Sequence, residues 1–413
     1  MGFQSGLSGL NAASQNLDVI GNNVANASVV GFKSSRTLFA DVYAASLNGA
    51  GANAIGIGTK VADVQQQFTQ GNITVTNNPL DIAINGGGFF RMSDNGTITY
   101  SRNGQFHFDE DGFIVNSDNL RLTGYGVDAA GNIVASAPAP VQLDTADIAP
   151  QVTSEFGVGL NLDARATVPT TAVFDPTDPT SFTSSTSGTV YDTLGNSHVF
   201  TMYFAKTAVN GQWNMHGTVD GTAPANVNLG AGAGNPVALN FNSSGALITA
   251  MPIAAASLTV GGGAVTPLSF ELDFLGSTQY GANFSVNSLT QDGYTSGRLS
   301  GFSIANDGQV LGQYSNGQSK TLGQVVLANF ANPEGLTPLG NNQWSESSES
   351  GLPLIGVPAS GNLGALQSAA VEDSNVDLTA ELVNMITAQR VYQANAQSIK
   401  TQDQVLQTLV NLR

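Results

Sequence analysis

Cysteine is absent from the 413 residues of this chain, and charged residues are scarce. Without cysteine the chain can form no disulfide, no thiolate zinc site and no cysteine nucleophile. Charged side chains make up 10% of the residues, against roughly 25% in an average soluble protein. We therefore expect a surface made largely of Asn, Gln, Ser, Thr and Gly, as in a protein whose flanks face copies of itself more than water.

Basic residues are scarcer still, with 13 Lys and Arg against 30 Asp and Glu, which gives a formal net charge of −17. Nucleic acids and anionic membrane surfaces are polyanions that bind basic patches, so we expect neither as a partner. No apolar run approaches the roughly 20 residues that a membrane-spanning helix needs, and we expect no membrane insertion. No base precedes Lys33, so the N-terminus lacks the basic start of a cleaved signal peptide.

Motifs for catalysis, cofactors and metals are weak. Residues 49–54 fit the spacing of a dinucleotide loop, but no predicted strand precedes them and no strong helix follows. His107, His198 and His216 each stand alone in a strand-like pattern, without the closely spaced partners of a metal site. An enzyme that acts on polysaccharide would need paired carboxylates, and nothing in the sequence pairs them. We therefore predict no enzyme activity, no catalytic residues, no cofactor and no metal.

Apolar residues recur at alternating spacings of four and three at both ends of the chain, which is the period of a coiled coil. Such a stripe is also common on ordinary core-facing helices, but two stripes at opposite termini favour helices that pair and then polymerise. The predicted self-assembly residues are Phe3, Leu7, Leu10, Leu17 and Val24 near the N-terminus, and Leu378, Leu382, Met385, Tyr392, Ile399, Leu406 and Val410 near the C-terminus.

Both predicted helices are expected to need partners. Each glycine within residues 2–25 costs the N-terminal helix about 1 kcal/mol relative to Ala. Gln389 and Asp403 interrupt the C-terminal stripe, and polar seam residues specify register while weakening an isolated pair. Ser374, followed three residues later by Asp377, marks the predicted start of the C-terminal helix.

The middle of the chain is predicted to be β-structure. Turn pairs such as Asn95-Gly96 and Asp111-Gly112 separate short runs rich in Ile, Phe, Val and Tyr, which is typical of hairpins. From residue 144 to 284 the chain is rich in Thr, Ser, Gly and Ala, with ten acidic residues and two bases. Within this segment, apolar residues from Leu268 to Phe274 alternate with polar ones, as in a strand with one buried face.

The segment after residue 284 resumes the earlier hairpin pattern, which indicates one β-domain in two halves with another domain inserted. The predicted fold is therefore mainly β with terminal α-helices. Its predicted parts are the terminal helices with a connector (1–70 and 365–413), forming an inner coiled-coil polymerisation core, a discontinuous β-domain (71–143 and 285–364) and an inserted outer β-domain (144–284).

Several runs resemble the bacterial flagellar rod and hook protein family. The run from Leu10 to Ser28, followed by Gly31-Phe32-Lys33, is similar to the shared opening of that family, and the run from Ser374 to Gln397 is similar to its closing helix. Further matching blocks lie between them, at residues 78–85, 88–90, 100–106 and 122–125. Rod proteins are shorter and generally lack a large inserted domain, so the length, the insert and residues 322–332 favour a hook member of the family.

The resemblance implies a structural hook subunit that self-assembles into a flexible curved tube and transmits motor torque to the filament. It implies terminal helices around an export channel and an insert on the outside. The implied partners are further copies of the chain, the distal rod protein, the hook-filament junction protein, the hook cap and the flagellar export apparatus. The implied location is the extracellular hook of the flagellum, reached by type III export without a cleaved signal peptide.

Two alternatives remain open at this stage. A distal rod protein would share the termini, but it is disfavoured by the insert. A secreted β-rich adhesin could share the Thr/Ser/Gly-rich middle, yet it would normally carry a signal peptide and would not need heptads at both ends.

Overall fold

A computed structural model describes residues 2–43, 56–128, 131–144, 146–221 and 227–411. Within them the chain is mainly β-structure with a helix at each end, so the predicted fold class is confirmed. The chain divides into two compact units. The first unit comprises Met1–Thr145, Gly301–Gln313 and Ser319–Arg413, and the second comprises Ala146–Ser300 and Tyr314–Gln318. Among the described residues, no helix is both long and apolar enough to cross a bilayer.

The first unit begins with helix α1 (Gly2–Ala25) and a hairpin of two antiparallel strands, β1 (Ser35–Tyr43) and β2 (Gly56–Gln66). The sequence predicts only a connector over the hairpin. The strands lack the strict apolar alternation of a buried sheet, because side chains such as Phe39 and Val64 lie about half exposed on them. Most of the Gly/Ala/Asn-rich piece of that connector, residues 48–55, lies outside the described residues.

Helix α2 spans Leu378–Asn411, and its start differs slightly from the prediction. The Asp377 carboxylate accepts hydrogen bonds from the backbone N–H groups of Thr379 and Ala380, at 2.9 and 3.1 Å. This is N-cap geometry, so Asp377 rather than Ser374 caps the helix. Ser374 lies in the segment before the cap, where its hydroxyl accepts from the Val376 N–H at 3.3 Å.

The first half of the first unit supplies eight further strands. They are β3 (Ile73–Val75), β4 (Ile82–Asn85), β5 (Phe89–Asp94), β6 (Thr97–Ser101), β7 (His107–Phe108), β8 (Ile114–Val115), β9 (Arg121–Tyr125) and β10 (Ala139–Pro140). The predicted Asn95-Gly96 turn joins β5 to β6, and both of its residues have positive φ (47° and 104°).

The described part of the second unit contains ten strands. They are β11 (Glu155–Asp163), β12 (Ser184–Tyr191), β13 (Ser197–Lys206), β14 (Gln212–Val219), β15 (Val227–Asn228), β16 (Val237–Asn240), β17 (Ile253–Leu258), β18 (Leu268–Asp273), β19 (Thr278–Tyr280) and β20 (Ser285–Gln291). Strands β12, β13, β14 and β16 form one sheet, and the other six form a second sheet. The buried faces of both sheets share one core, in which Phe156, Phe200 and Phe270 pack edge to face or tilted. The predicted alternation in β18 is confirmed, because Leu268, Phe270 and Leu272 are buried.

The late half of the chain returns to the first unit through nine strands. They are β21 (Leu299–Ile304), β22 (Gln309–Tyr314), β23 (Ser319–Val325), β24 (Leu327–Asn329), β25 (Thr337–Gly340), β26 (Gln343–Ser345), β27 (Leu354–Gly356), β28 (Ala365–Ser368) and β29 (Ala370–Glu372). Early and late strands join in a 13-stranded sheet, whose main path is β21-β22-β23-β9-β5-β6-β26-β25. Three early strands lie between late strands on this path. Strands β28 and β29 pair separately with β4 and β3.

Strand β20 lies on the other side of the predicted domain boundary. The sequence predicts that the inserted domain ends at residue 284, whereas β20 pairs with β11 and the second unit continues to Ser300. Six of the seven residues of β20 are exposed, so the strand shows no apolar alternation. Its partner is more than a hundred residues earlier in the sequence, and no local signal marks such a pairing.

The histidines of the second unit are not as isolated as the sequence predicts. The His198 ring lies between two carboxylates, with Nδ1 2.7 Å from Asp220 Oδ2 and Nε2 3.3 Å from Asp192 Oδ2. Burial alone would lower the pKa of His198, but the hydrogen bonds and charges of the two carboxylates raise it. Both partners lie on turns that the strands bring together, although only six residues separate His198 from Asp192. Across the described ranges, no cluster of His, Asp and Glu could hold a metal ion.

His216 gives the second unit a predictable acid sensitivity. Its ring stacks on Phe174 at 4.1 Å, and burial lowers its pKa to about 4. Between pH 6.5 and 4 the unfolded chain therefore binds a proton that the folded chain does not, so stability falls as the pH falls through that window. We expect His216→Phe to reduce this acid-dependent loss by about 1 kcal/mol, allowing for partial solvent exposure.

The measurement is thermal unfolding of both proteins at pH 7 and pH 4.5. The acid-induced drop in Tm of the second unit should be roughly 2–4 °C smaller in the variant. His107→Phe is the matched control, because His107 is an exposed residue of the first unit. An equal drop in wild type and His216→Phe would show that His216 does not contribute.

Candidate assembly interface

Helices α1 and α2 pack against each other in antiparallel directions within the first unit. A Cβ added at Gly6 would lie 3.0 Å from Ile399 Cγ1, and one at Gly9 would lie 2.9 Å from the Asn395 side chain. These two glycines therefore allow an approach that larger residues would block. The sequence predicts their cost to the helix but not this use.

The most buried positions of the two helices coincide only in part with the predicted stripe. On α1 the buried residues include Ala13 and Ile20, and on α2 Ala388 is buried. The 4-3 spacing also passes through Ser14, Gly21 and Gln389, and each of these buried residues precedes one of those positions by one. One residue corresponds to a rotation of about 100° around a helix of 3.6 residues per turn. The predicted stripe therefore borders these most buried positions, and one of its residues, Ile399, contacts α1 at Gly6.

The predicted self-assembly residues divide into two groups. Leu10, Leu17, Val24, Met385 and Ile399 are half-buried. Val410 lies in α2, but its side chain is outside the described residues. The other six residues are between 37% and 55% exposed: Phe3, Leu7, Leu378, Leu382, Tyr392 and Leu406.

Four further apolar residues of α2 are also exposed: Val383, Ile386, Val405 and Val391, of which Val391 lines the groove described below. The residues Leu378, Leu382, Val383, Ile386, Tyr392, Val405 and Leu406 are all exposed, and we call them the exposed α2 surface. Single exposed apolar residues are normal on proteins, whereas several along one helix indicate an interaction site. Helix α2 thus has an apolar surface that the fold of the single chain leaves uncovered.

A buried cluster of charges lies where the chain leaves the C-terminal end of α1 and where it enters the N-terminal end of α2. The Glu372 carboxylate lies 2.7 Å from Lys33 Nζ and 3.1 Å from Arg102 Nη1, and the three side chains are 0–4% exposed. Lys33 follows α1, Arg102 follows β6, and Glu372 ends β29 shortly before α2. One carboxylate therefore links both chain ends to the sheet.

Hydrogen bonds from the backbone complete this charge cluster. Lys33 Nζ donates to the carbonyl of Thr69 at 2.7 Å, and the N–H of Gly71 donates to Glu372 Oε1 at 2.9 Å. Burial lowers the pKa of both Lys33 and Arg102, and the Glu372 carboxylate opposes this change. A buried ion that is paired and hydrogen-bonded avoids most of the cost of desolvation.

Two asparagines also join the segments near the helix bases, and the sequence analysis did not single them out. The Asn23 side chain donates to the carbonyl of Ser35 and accepts from its N–H, at 2.8 and 2.9 Å. Asn375 accepts from the N–H of Ser34 and donates to the carbonyl of Gln67, both at 2.7 Å. The five Asn residues between positions 11 and 26 are the available signal for Asn23, because buried amides often satisfy backbone groups. No such signal marks Asn375.

The backbone geometry at residue 31 explains why the Gly31-Phe32-Lys33 motif begins with glycine. Its φ is +71°, and an added Cβ would lie 2.6 Å from the backbone nitrogen of Asn103. Its own N–H donates to the carbonyl of Glu372 at 2.7 Å. Only glycine fits this position without strain, and the tight turn brings Lys33 to Glu372.

Comparisons with known proteins match nearly the same segments. Residues 3–33 match the family described as flagella basal body rod protein, and residues 83–192 match the flagellar hook protein FlgE/F/G D1 domain. Residues 161–294 match the flagellar basal body protein FlaE D2 domain, and residues 367–412 match the flagellar basal body rod FlgEFG protein C-terminal family.

Whole-chain relatives decide the family. The chain is 44% identical over 418 residues to the flagellar hook protein FlgE of Salmonella typhimurium strain LT2, covering 100% of both proteins. The chain belongs to the flagellar hook protein family. The FlgE of Borreliella burgdorferi is 32% identical, over 99% of this chain and 98% of the relative. The crystal structure of Helicobacter pylori FlgE2 has a TM-score of 0.51 at 12% identity, covering 72% of this chain and all of that one, which shows a shared fold.

Membership of the hook protein family confirms the prediction of a structural hook subunit located in the flagellum. The relatives are hook proteins over their full length, so the distal rod protein and the adhesin are not favoured. The three residues of the charge cluster each lie in a different family-matched segment. These are Lys33 in 3–33, Arg102 in 83–192 and Glu372 in 367–412.

Proposed function

We propose that this hook-family chain self-assembles into the flexible curved tube of the hook and transmits motor torque to the filament. The observation that carries the proposal is the exposed α2 surface, whose residues stay in water although α2 already packs on α1. Burying a Leu or Val side chain is favourable by about 1.5–3 kcal/mol. Further copies of the chain can supply the missing contact, and a repeated contact of this kind builds a polymer.

All twelve heptad residues remain the proposed self-assembly site. The six exposed ones are the direct contacts with neighbouring copies. The half-buried ones, such as Met385 and Ile399, lie partly against the contact between α1 and α2 and hold the exposed ones in place. We also propose that the chain acts mechanically, without catalysis and without a cofactor or metal.

We propose a layered arrangement in the tube. The terminal helices line the export channel, the 13-stranded sheet forms the middle layer, and the second unit lies outermost. A bending tube requires outer surfaces that slide past each other. The second unit suits this role, because polar side chains such as those of Ser and Thr form weak contacts that exchange with water, and exposed charge pairs contribute little.

The further partners and the location rest on the family. We propose contacts with the distal rod protein, the hook-filament junction protein and the hook cap. We propose export by the flagellar export apparatus, without a cleaved signal peptide, to the extracellular hook.

Complementation tests this function. A flagellated bacterium lacking its own hook protein is supplied with this chain, and swimming and isolated hooks are scored. We expect curved hooks and restored swimming. As a control, the chain that carries Gln393→Asp should also form hooks, because Gln393 is exposed on α2 but is not part of the exposed α2 surface. The proposal fails if the chain is present in the cells and their medium but no hooks form.

A further inference from the structure

The packing of α1 on α2 leaves the C-terminal turns of α2 without a partner helix. Gly6 faces Ile399 and Gly9 faces Asn395, so in this antiparallel register Gly2 is level with Asp403. The part of α2 at residues 404–411 extends beyond the first described residue of α1 by two turns, or about 12 Å. We call residues 404–411 the α2 overhang. Val405 and Leu406 are both 55% exposed on it.

A groove lies elsewhere in the same unit, between α1, the β1–β2 hairpin and α2. It has a volume of about 870 Å³. Its lining combines small or apolar residues, including Ala12, Ile20, Phe39, Ala388 and Val391, with polar ones such as Asn16, Arg36 and Glu381. Phe39 and Val391 are about half exposed. The groove is therefore large enough to take bulky aliphatic side chains against its apolar residues.

The groove also contains polar atoms without a partner. Thr37 is 7% exposed, and its hydroxyl has no hydrogen-bond partner; the same holds for Oε2 of Glu381. Both atoms are shielded from solvent in the single chain, so an occupant of the groove does not reach them directly. The exposed polar side chains of the lining, such as Arg36 and Asn384, are the groups that the amide of Gln404 on the α2 overhang can meet.

The overhang cannot reach the groove of its own chain. Leu406 and Val391 lie on one continuous helix, and 15 residues separate them by about 22 Å. The two surfaces are thus complementary but held apart. A pair of different surfaces that meet between copies is a head-to-tail contact, and such contacts build open helical filaments when they do not close into a ring.

We propose that the α2 overhang of one copy docks in the groove of the next copy, with Val405 and Leu406 inserted between α1, the hairpin and α2. This inference rests on the proposed self-assembly and names the contact that propagates it. It assigns the β1–β2 hairpin a role as one wall of the acceptor groove. In each contact, one copy supplies the α2 overhang and the next copy supplies the groove.

Cysteine cross-linking tests the proposal cleanly, because the chain has no cysteine of its own. Two double variants combine Leu406→Cys with Val391→Cys or with Phe39→Cys. The first pair cannot close within one chain, since a disulfide requires Cα atoms within about 7 Å. The matched control combines Leu406→Cys with Gln393→Cys, which lies on α2 outside the groove lining.

After polymerisation and mild oxidation, we expect ladders of covalent oligomers from at least one groove pair. Their yield should exceed that of the control by about tenfold or more, because docking raises the effective concentration of the two thiols. Dilute, unpolymerised protein should give no ladder. Tubes that form without a groove-specific ladder would overturn the docking proposal and leave self-assembly intact. Failure of the unsubstituted chain to form tubes would instead contradict the proposed function.

Amide hydrogen exchange on the unsubstituted chain covers the case in which the cysteine variants do not polymerise. Residues 384–395 line the groove in part, and we expect side-chain docking there to slow the exchange of this segment and of β1 in tubes relative to free chains. Unchanged exchange in both segments would overturn the docking proposal.

Discussion

We expect Leu382→Asp to abolish self-assembly, while the isolated chain should unfold at nearly the same temperature as wild type. Leu382 is 48% exposed in the single chain, so an aspartate there remains hydrated and costs little. In the assembled state the same carboxylate would be buried against a neighbouring helix without a partner. Burying an unpaired charge costs several kcal/mol, and the cost recurs in every subunit.

The measurement combines sedimentation of polymer with thermal unfolding of the unpolymerised chain. Gln393→Asp introduces the same charge on an exposed position of the same helix and should still polymerise. If Leu382→Asp lowered the melting temperature as strongly as it reduced polymer, Leu382 would belong to the core of the single chain. If it polymerised normally, the exposed α2 surface would not be the contact.

We expect Glu372→Ala to destabilise the first unit by about 3–5 kcal/mol, because it leaves the buried cations Lys33 and Arg102 without their shared carboxylate. For a unit of this size the Tm should fall by roughly 10 °C. The segment before α2 would also lose its ion pair with Lys33 in the segment after α1, so polymerisation should weaken as well. Calorimetry of the wild type and the variant measures the change.

Two further variants serve as controls for this result. Glu349→Ala removes an exposed carboxylate of the same unit and should change stability little. Lys33→Met combined with Glu372→Ala removes one stranded cation and should recover part of the loss. A Tm for Glu372→Ala equal to that of wild type would contradict the role assigned to the cluster.

Local signals in the sequence sufficed for several parts of the fold. The Asn95-Gly96 turn joins β5 to β6 with the positive φ angles that this dipeptide favours. The alternation from Leu268 to Phe274 defines the buried face of β18. In both cases the structure depends on neighbouring residues, which a single sequence displays directly.

Pairings between distant segments could not be predicted in the same way. Strand β23 meets β9 at Gln324 and Tyr125, and β26 meets β6 at Trp344 and Tyr100. Nothing local to either strand specifies its partner. Strand β20 is the clearest example, since its exposed polar residues resemble a loop until β11 is placed beside it.

Only part of the candidate site could be predicted, again because contacts between distant segments leave no local signal. The 4-3 spacing identifies residues with the right periodicity, but it does not distinguish the face that packs within the chain from the face that remains free. That choice depends on Gly6 and Gly9, which bring α1 close to Asn395 and Ile399. The charge cluster joins three segments far apart in sequence, so only the fold reveals that Glu372 has two cationic partners.

Negative-stain electron microscopy of the purified chain, concentrated in the presence of a precipitating salt, tests the central claim most directly. The exposed α2 surface and the family both predict ordered self-assembly, so the account predicts hollow, curved tubes of uniform diameter. Only monomers, or shapeless aggregates at every concentration and salt condition, would contradict it.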